Sequence, residues 1–320
     1  MRYSYGRALK NWIPIKLQSD HEILCEWLYV GDKKFTDPFF DETISRCRSI
    51  PENGHLKKSM SSTDFLSDLV NDMDVIEPTA FIFHISRCGS TLISQMLATQ
   101  PSNIVLSEVS FFDDLLRFGK KANCLLSILP QIKAAISIYG RKRNAEECRL
   151  FIKLDSWHIH FYEELRMIYP NTPFFLLFRN PHEVLLSQQK KRGMQSIPGL
   201  IEPEIFGFNL EVLNISDLDK YMSMVLESYL LKFDEVLQND KNCYALNYHH
   251  GAMQMIDTII SKTKIHITRD ERNAMEHRIL YNAKYPDTIF SEKPSQELVP
   301  EYLQKSVALY KRIEKQILSE

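Results

Sequence analysis

Between residues 81 and 92 the chain reads Phe81-Ile82-Phe83-His84-Ile85-Ser86-Arg87-Cys88-Gly89-Ser90-Thr91-Leu92. An apolar run gives way to small residues and one arginine, after which Leu92, Ile93, Met96 and Leu97 recur at helical spacing. A turn between a buried strand and a helix aims backbone N–H groups and the helix's positive end at one point, where an anion can sit. Gly89 allows close backbone approach, Ser90 and Thr91 offer hydroxyls, and Arg87 brings a permanent charge with a forked donor set. The same residues also suit an ordinary strand–turn–helix connection capped by serine. The segment is not the nucleotide-triphosphate loop G-x-x-x-x-G-K-[ST], because it has no lysine and a single glycine. Cys88 is not read as a phosphatase nucleophile, since Ser94 stands where such a site needs an arginine.

A second basic residue, Arg179, follows the apolar run Phe174-Phe175-Leu176-Leu177-Phe178 and precedes Asn180-Pro181, where a helix starts with proline in its first turn. An arginine at a strand's carboxyl edge faces the crevice in which open α/β sheets bind ligands. Ser187, eight residues on, adds a hydroxyl donor from the helix, so the pair suits a phosphate. The alternative is a surface ion pair for Arg179 and an unremarked helix position for Ser187. Lys153 interrupts the apolar run Leu150-Phe151-Ile152-Lys153-Leu154 near its end, and either emerges at the same rim or snorkels from the strand edge. Glu108 is a candidate base or a solvated surface glutamate, with Asp155 and His158 as further candidates for the base. The pairs His158/His160 and His249/His250 lack the carboxylate pattern of a metal centre, so chemistry without a metal is expected.

Two motifs in this order resemble the sulfotransferase superfamily that uses 3′-phosphoadenosine-5′-phosphosulfate (PAPS). Its phosphosulfate loop, P-K/R-S-G-T/S-T, is matched by Ser86-Arg87-Cys88-Gly89-Ser90-Thr91, with arginine in the basic position as in the tyrosylprotein branch. Ser86 replaces the usual proline and Cys88 the usual serine. The family's 3′-phosphate motif, R-[DN]-P with a serine eight residues beyond the arginine, is matched by Arg179-Asn180-Pro181 and Ser187. The resemblance implies PAPS as sulfuryl donor, held by Arg87, Cys88, Gly89, Ser90, Thr91, Arg179 and Ser187. It implies that Lys153 contacts the reacting group and that Glu108 is the base, as in the tyrosylprotein branch. The cytosolic branch has a histidine as base two residues after the lysine, where this chain has Asp155. A late basic segment closes the family's site; Arg278 or Lys284 stands near that place, without a motif to assign either. The acceptor, a small molecule or a peptide, is not specified by the motifs.

The elements that must position these residues are legible around them. Short apolar runs alternate with helical patterns after residue 78, ending in Cys243-Tyr244-Ala245-Leu246-Asn247 and an amphipathic closing helix. This predicts an α/β fold, a parallel β-sheet with flanking helices, and the resemblance implies its P-loop nucleotide-hydrolase-like sulfotransferase form. Residues 78–320 are expected to form that domain and residues 1–77 an N-terminal portion packed on it. Trp27 to Val30 reads as a strand, Phe39 and Phe40 as packing residues, and residues 157–168 as a helix. The irregular stretch from 193 to 220 suits a lid or acceptor wall. At 320 residues and a formal net charge of -2, nothing favours nucleic acid or a membrane surface as partner. With no long apolar stretch and no secretory signal, a cytoplasmic location is expected. The six scattered cysteines read as buried free thiols. Two other functions fit the same motifs less fully: a PAPS-binding or bisphosphate-binding module without turnover, and a kinase with a degenerate loop.

Overall fold

Three short antiparallel strands open the chain: β1 (Trp12–Gln18), β2 (Leu24–Tyr29) and β3 (Ser59–Ser62). They belong to a computed structural model that describes residues 8–18, 22–54, 58–71, 73–209, 216–283 and 298–319. Five further strands form the main sheet: β4 (Pro78–His84), β5 (Asn103–Ser107), β6 (Arg149–Lys153), β7 (Phe174–Phe178) and β8 (Cys243–Asn247). All neighbours in it are parallel, in the order β5-β6-β4-β7-β8. Ala80 to Phe83 in β4 and Phe174 to Phe178 in β7 have no exposed surface, as strands covered on both faces require.

The first strand of the main sheet, β4, lies at its centre; the chain goes next to the edge strand β5, returns to β6 beside β4, and then adds β7 and β8 on the other side. That reversal opens a crevice beyond the carboxyl ends of β6, β4 and β7, the place where open α/β sheets bind ligands. Helix starts at this rim are fixed locally. Asn180 caps Pro181–Lys190 by accepting the His182 backbone N–H at 3.0 Å, with Pro181 in the first turn, where no N–H is needed. Asp217 caps the long helix Leu218–Asn239 by accepting from the Asp219 and Lys220 amides. That helix packs against the closing helix Gln304–Ser319.

The segment expected to be one helix over 157–168 is instead a 3₁₀ turn, Ser156–Phe161, followed by the helix Tyr162–Ile168. Most of the turn's side chains are buried, so it lacks the solvated face of an amphipathic helix. The N-terminal sheet shares the main core: Ile13, Ile15, Trp27 and Leu28 are continuous with Phe81 and Leu176. The Leu17 amide donates to Asp114 Oδ2 at 2.8 Å, and the Tyr139 hydroxyl donates to the Pro14 carbonyl. All six cysteines are free, but Cys148 is exposed and Cys124 half-buried, contrary to the expectation that all are interior. Among the described residues no helix is long and apolar enough to cross a membrane.

Tyr139→Phe should lower stability by about 1–2 kcal/mol in a urea titration, because it leaves the Pro14 carbonyl without its donor inside the core. An unchanged midpoint would show that this hydroxyl does not hold the N-terminal sheet in place.

Candidate active site

The turn after β4 is built from backbone conformations that side chains ordinarily avoid. Ser86 (φ 67°), Arg87 (φ 48°) and Gly89 (φ 85°) are all left-handed, and the helix Ser90–Leu97 begins directly after them. Gly89 is required twice over, since a Cβ there would also lie 2.7 Å from the Tyr248 ring. Ser86 is informative about its departure from the family loop: proline, locked near φ −65°, cannot take this conformation. Its hydroxyl accepts from Gln188 Nε2 at 3.1 Å, and Gln188 Oε1 accepts from the Gly193 amide at 2.8 Å. Arg87 donates to the Lys191 carbonyl, which ties the turn to the same neighbouring segment.

Arg87, Gly89, Ser90, Thr91, Glu108, Arg179 and Ser187 line one cavity of about 950 Å³, which lies within the size range of ligand sites. Cys88 and Lys153 do not line it. The Cys88 thiol is buried, contacts the Leu177 carbonyl at 3.4 Å and is pushed up to about 12 by burial. Its side chain is turned away from a ligand at the loop, so a serine hydroxyl in the same orientation would be equally remote. Arg179, at the end of β7, donates through Nε to Glu183 Oε2 at 2.6 Å and stacks 4.4 Å from the Tyr248 ring centroid. His249 sits 3.2 Å from the same Glu183 oxygen. Tyr248, at the end of β8, therefore touches both halves of the phosphate wall. It was missed in the sequence because a tyrosine after a weak apolar run carries no motif.

On the opposite side of β4, Lys153 is buried with its side chain 0% exposed. Its Nζ lies 2.7 Å from Glu108 Oε1 and 5.0 Å from the centroid of Phe39, a residue expected only to pack but found in the cavity wall. Glu108 is left-handed (φ 57°), and its amide donates to the Lys153 carbonyl at 2.8 Å. Ser86, Arg87 and Glu108 are thus three of the five non-glycine residues with positive φ among the described residues, a concentration of backbone strain typical of functional sites. Burial alone would raise the Glu108 carboxyl, but the Lys153 ammonium outweighs it and holds the group well below the usual carboxylate range. His84 was also missed. Its Nδ1 accepts the Ser86 amide at 3.0 Å, which places the ring proton on Nε2. Nε2 lies 3.2 Å from Glu108 Oε1 without a hydrogen-bonding geometry. Burial holds the imidazole neutral by lowering its pKa.

Of the other candidate bases, Asp155 lines the cavity, with its carboxyl pushed well up by burial, then by Glu108 and Asp113. His158 does not line it: Nδ1 accepts the Asp155 amide at 3.3 Å and Nε2 faces Asp113 Oδ1 at 2.9 Å. Asp113, Asp155 and His158 are the group among the described residues whose ligand atoms lie close enough to share a metal ion. Trp157 Nε1 (2.6 Å) and Arg117 Nη1 (3.1 Å) already donate to Asp113, so its oxygens serve as a hydrogen-bond hub. His160 instead meets Ser228, and burial lowers its pKa to about 4. Arg278 does not face the cavity; it donates to the carbonyls of Tyr281, Asn282 and Ala283, a segment that does line it. Lys284 lies outside the described residues. In the stretch from 193 to 220, Gly193, Met194 and Gln195 line the cavity, while residues 210–215 are outside the description.

Glu108→Gln should cost about 3 kcal/mol at pH 7, since it leaves the Lys153 ammonium buried without a counterion. The added change Lys153→Met should restore most of the loss. Because the folded-state Glu108 pKa is depressed, the wild-type advantage should hold above the unfolded value, about 4.3, and shrink as pH falls below it. Denaturant titrations of the three proteins from pH 7 to pH 3 check this, and equal stability of Glu108→Gln and wild type at pH 7 would contradict it.

No family model matches the chain, and no curated protein matches it in sequence. Among solved structures it is similar to the sulfotransferase STF9 from Mycobacterium avium, at 14% identity and a TM-score of 0.48, over 80% of this chain and 80% of that one. It is similar to the sulfotransferase domain of the Synechococcus PCC 7002 olefin synthase, at 13% identity and a TM-score of 0.47, over 76% of this chain and 96% of the other. The sulfotransferase domain of the curacin biosynthetic pathway gives 13% identity and a TM-score of 0.47, over 74% and 99%. With every one of these TM-scores below 0.5, the likenesses carry no weight, and the reading of the site rests on its own residues.

Proposed function

We propose that this chain is a sulfotransferase, moving a sulfuryl group from PAPS to a hydroxyl or amine acceptor by in-line displacement. The observation that carries the reading is the order of groups along the sheet rim. Glu108 and Lys153 stand at β5 and β6, the strained turn follows at β4, and Arg179 and Ser187 follow at β7, all but Lys153 and Cys88 lining one cavity. The residues fit the donor. Left-handed Ser86, Arg87 and Gly89 gather amides beside a helix start for its 5′ end, and Arg179 with Ser187 suits a 3′-phosphate.

Bound PAPS would supply an activated sulfuryl group: a bond forms from sulfur to the acceptor, the bond to the bridging phosphate oxygen breaks, and its electron pair leaves with the phosphate. Arg87 and the turn's amides stabilise the charge that gathers on that phosphate. Glu108 takes the acceptor's proton. In the resting site this carboxylate is a weak base, because Lys153 holds it at 2.7 Å. An anionic sulfuryl group bound beside Glu108 would disfavour its charged form and so raise the basicity of the carboxylate when it is needed.

Calorimetric titration with 3′,5′-adenosine bisphosphate, against 5′-AMP and ATP–Mg²⁺, tests the reading. The bisphosphate should bind selectively, and Arg179→Ala should weaken it by roughly 10- to 100-fold, the loss of charge-assisted hydrogen bonds to one phosphate. A preference for ATP–Mg²⁺ would point to a kinase, and binding without transfer from PAPS to any acceptor would point to a nucleotide-binding module.

A further inference from the structure

His84 closes β4 at the centre of the sheet, 5% exposed, and its two ring nitrogens face two different parts of the site. Nδ1 accepts the Ser86 amide at 3.0 Å. Nε2 lies 3.2 Å from Glu108 Oε1, the oxygen that also accepts from the Lys153 ammonium at 2.7 Å. Ser86 and Glu108 are both left-handed, so one imidazole stands between two of the three strained non-glycine residues of the site. A histidine that only filled the core would need no such division of its polar atoms.

The chain leaves β4 through two consecutive non-glycine residues of positive φ, a path that such residues keep only when their surroundings hold them to it. The familiar loop has proline at the first of these positions, where the ring fixes φ near −65° and no N–H exists to be held. Ser86 has both an amide and a hydroxyl, and each is held: the amide by His84 Nδ1, the hydroxyl by Gln188 Nε2 at 3.1 Å. His84 is itself paired with Leu177 in the sheet, so its ring fixes the turn against the strand that carries it. Two hydrogen bonds thus do for Ser86 what ring closure does for a proline, at a backbone conformation that proline cannot reach.

The same bond decides where the ring carries its proton. With Nδ1 accepting, the neutral imidazole keeps its hydrogen on Nε2, the nitrogen nearer Glu108, and has no free nitrogen with which to take a proton. A second proton would have to enter at Nδ1, at the expense of the Ser86 bond, and burial opposes the resulting charge. The charged groups facing the ring are Glu108, from beyond β5, and Lys153, on β6, and they act on it in opposite directions.

We infer that His84 is a positioning residue of the transfer site: through Nδ1 it keeps the anion turn in its binding conformation, and through the tautomer this fixes it leaves proton transfer to Glu108. The inference rests on the proposed function for what the turn binds, and deepens it by giving a role to a residue outside both motifs.

Two variants separate positioning from packing. His84→Phe keeps a ring and removes the acceptor, whereas His84→Asn gives up most of the ring but sets Oδ1 close to where Nδ1 stands. The full chain and both variants are titrated calorimetrically with 3′,5′-adenosine bisphosphate. His84→Phe should bind about tenfold more weakly than wild type, because the binding-competent turn is populated less. His84→Asn should recover most of that affinity. A packing role gives the reverse order, Phe near wild type and Asn weak. That order would overturn the inference, as would equal affinities for the two variants. Nitrogen NMR of the wild type with isotope-labelled histidine covers the case in which a variant fails to fold. At pH 7 His84 should show a protonated Nε2 and an unprotonated, hydrogen-bonded Nδ1, and a proton on Nδ1 would overturn the inference. Should the wild type fail to bind bisphosphate, the proposed function falls, and the nitrogen spectrum still decides whether His84 holds the turn.

Discussion

A lysine ammonium sealed at the end of a parallel strand is costly, and the arrangement of the rim follows from meeting that cost. Lys153 cannot reach water, so a carboxylate must come to it, and Glu108 does so from the neighbouring strand end. To deliver that carboxylate, the chain leaves β5 through a left-handed residue whose amide is anchored on the Lys153 carbonyl. Phe39, reaching in from the N-terminal portion, covers the ammonium. The portion of the chain least readable at the outset is therefore part of the wall that seals the Lys153 ammonium from water.

The second constraint is the turn after β4. Two consecutive non-glycine residues in left-handed conformation are held by contacts outside the turn: Gln188 on the Ser86 hydroxyl, His84 on the Ser86 amide, and the Lys191 carbonyl on Arg87. A proline could not replace Ser86 here, so the departure from the familiar loop sequence goes with a different backbone path. The buried thiol next to it changes less than its chemistry suggests, because the side chain at position 88 turns into the core.

The parallel strands were readable because Ala80–Phe83, Leu150–Ile152 and Phe174–Phe178 are uninterrupted apolar runs, a pattern imposed by burial on both faces. The helix start at Asn180-Pro181 was readable because capping is local chemistry. Arg87, Arg179 and Ser187 were legible for the same reason, each lying a fixed distance from a strand end. His84 and Tyr248 were not, since their importance comes from what the sheet order sets beside them: Glu108 from beyond β6 for His84, and Arg179 and Gly89 from the ends of β7 and β4 for Tyr248. The 3₁₀ turn at Ser156–Phe161 was hidden by an aromatic-rich stretch that satisfies a helical pattern equally well.

Gln188 gives the site one more property. Its single side-chain amide bonds the nucleotide-facing turn through one atom and the Gly193 backbone through the other, with no exposed surface of its own. The turn after β4 and the Gly193 backbone are thus fastened to one rigid planar group. Neither can shift without pulling on the other, so a movement of the turn is passed to the Gly193 part of the cavity wall.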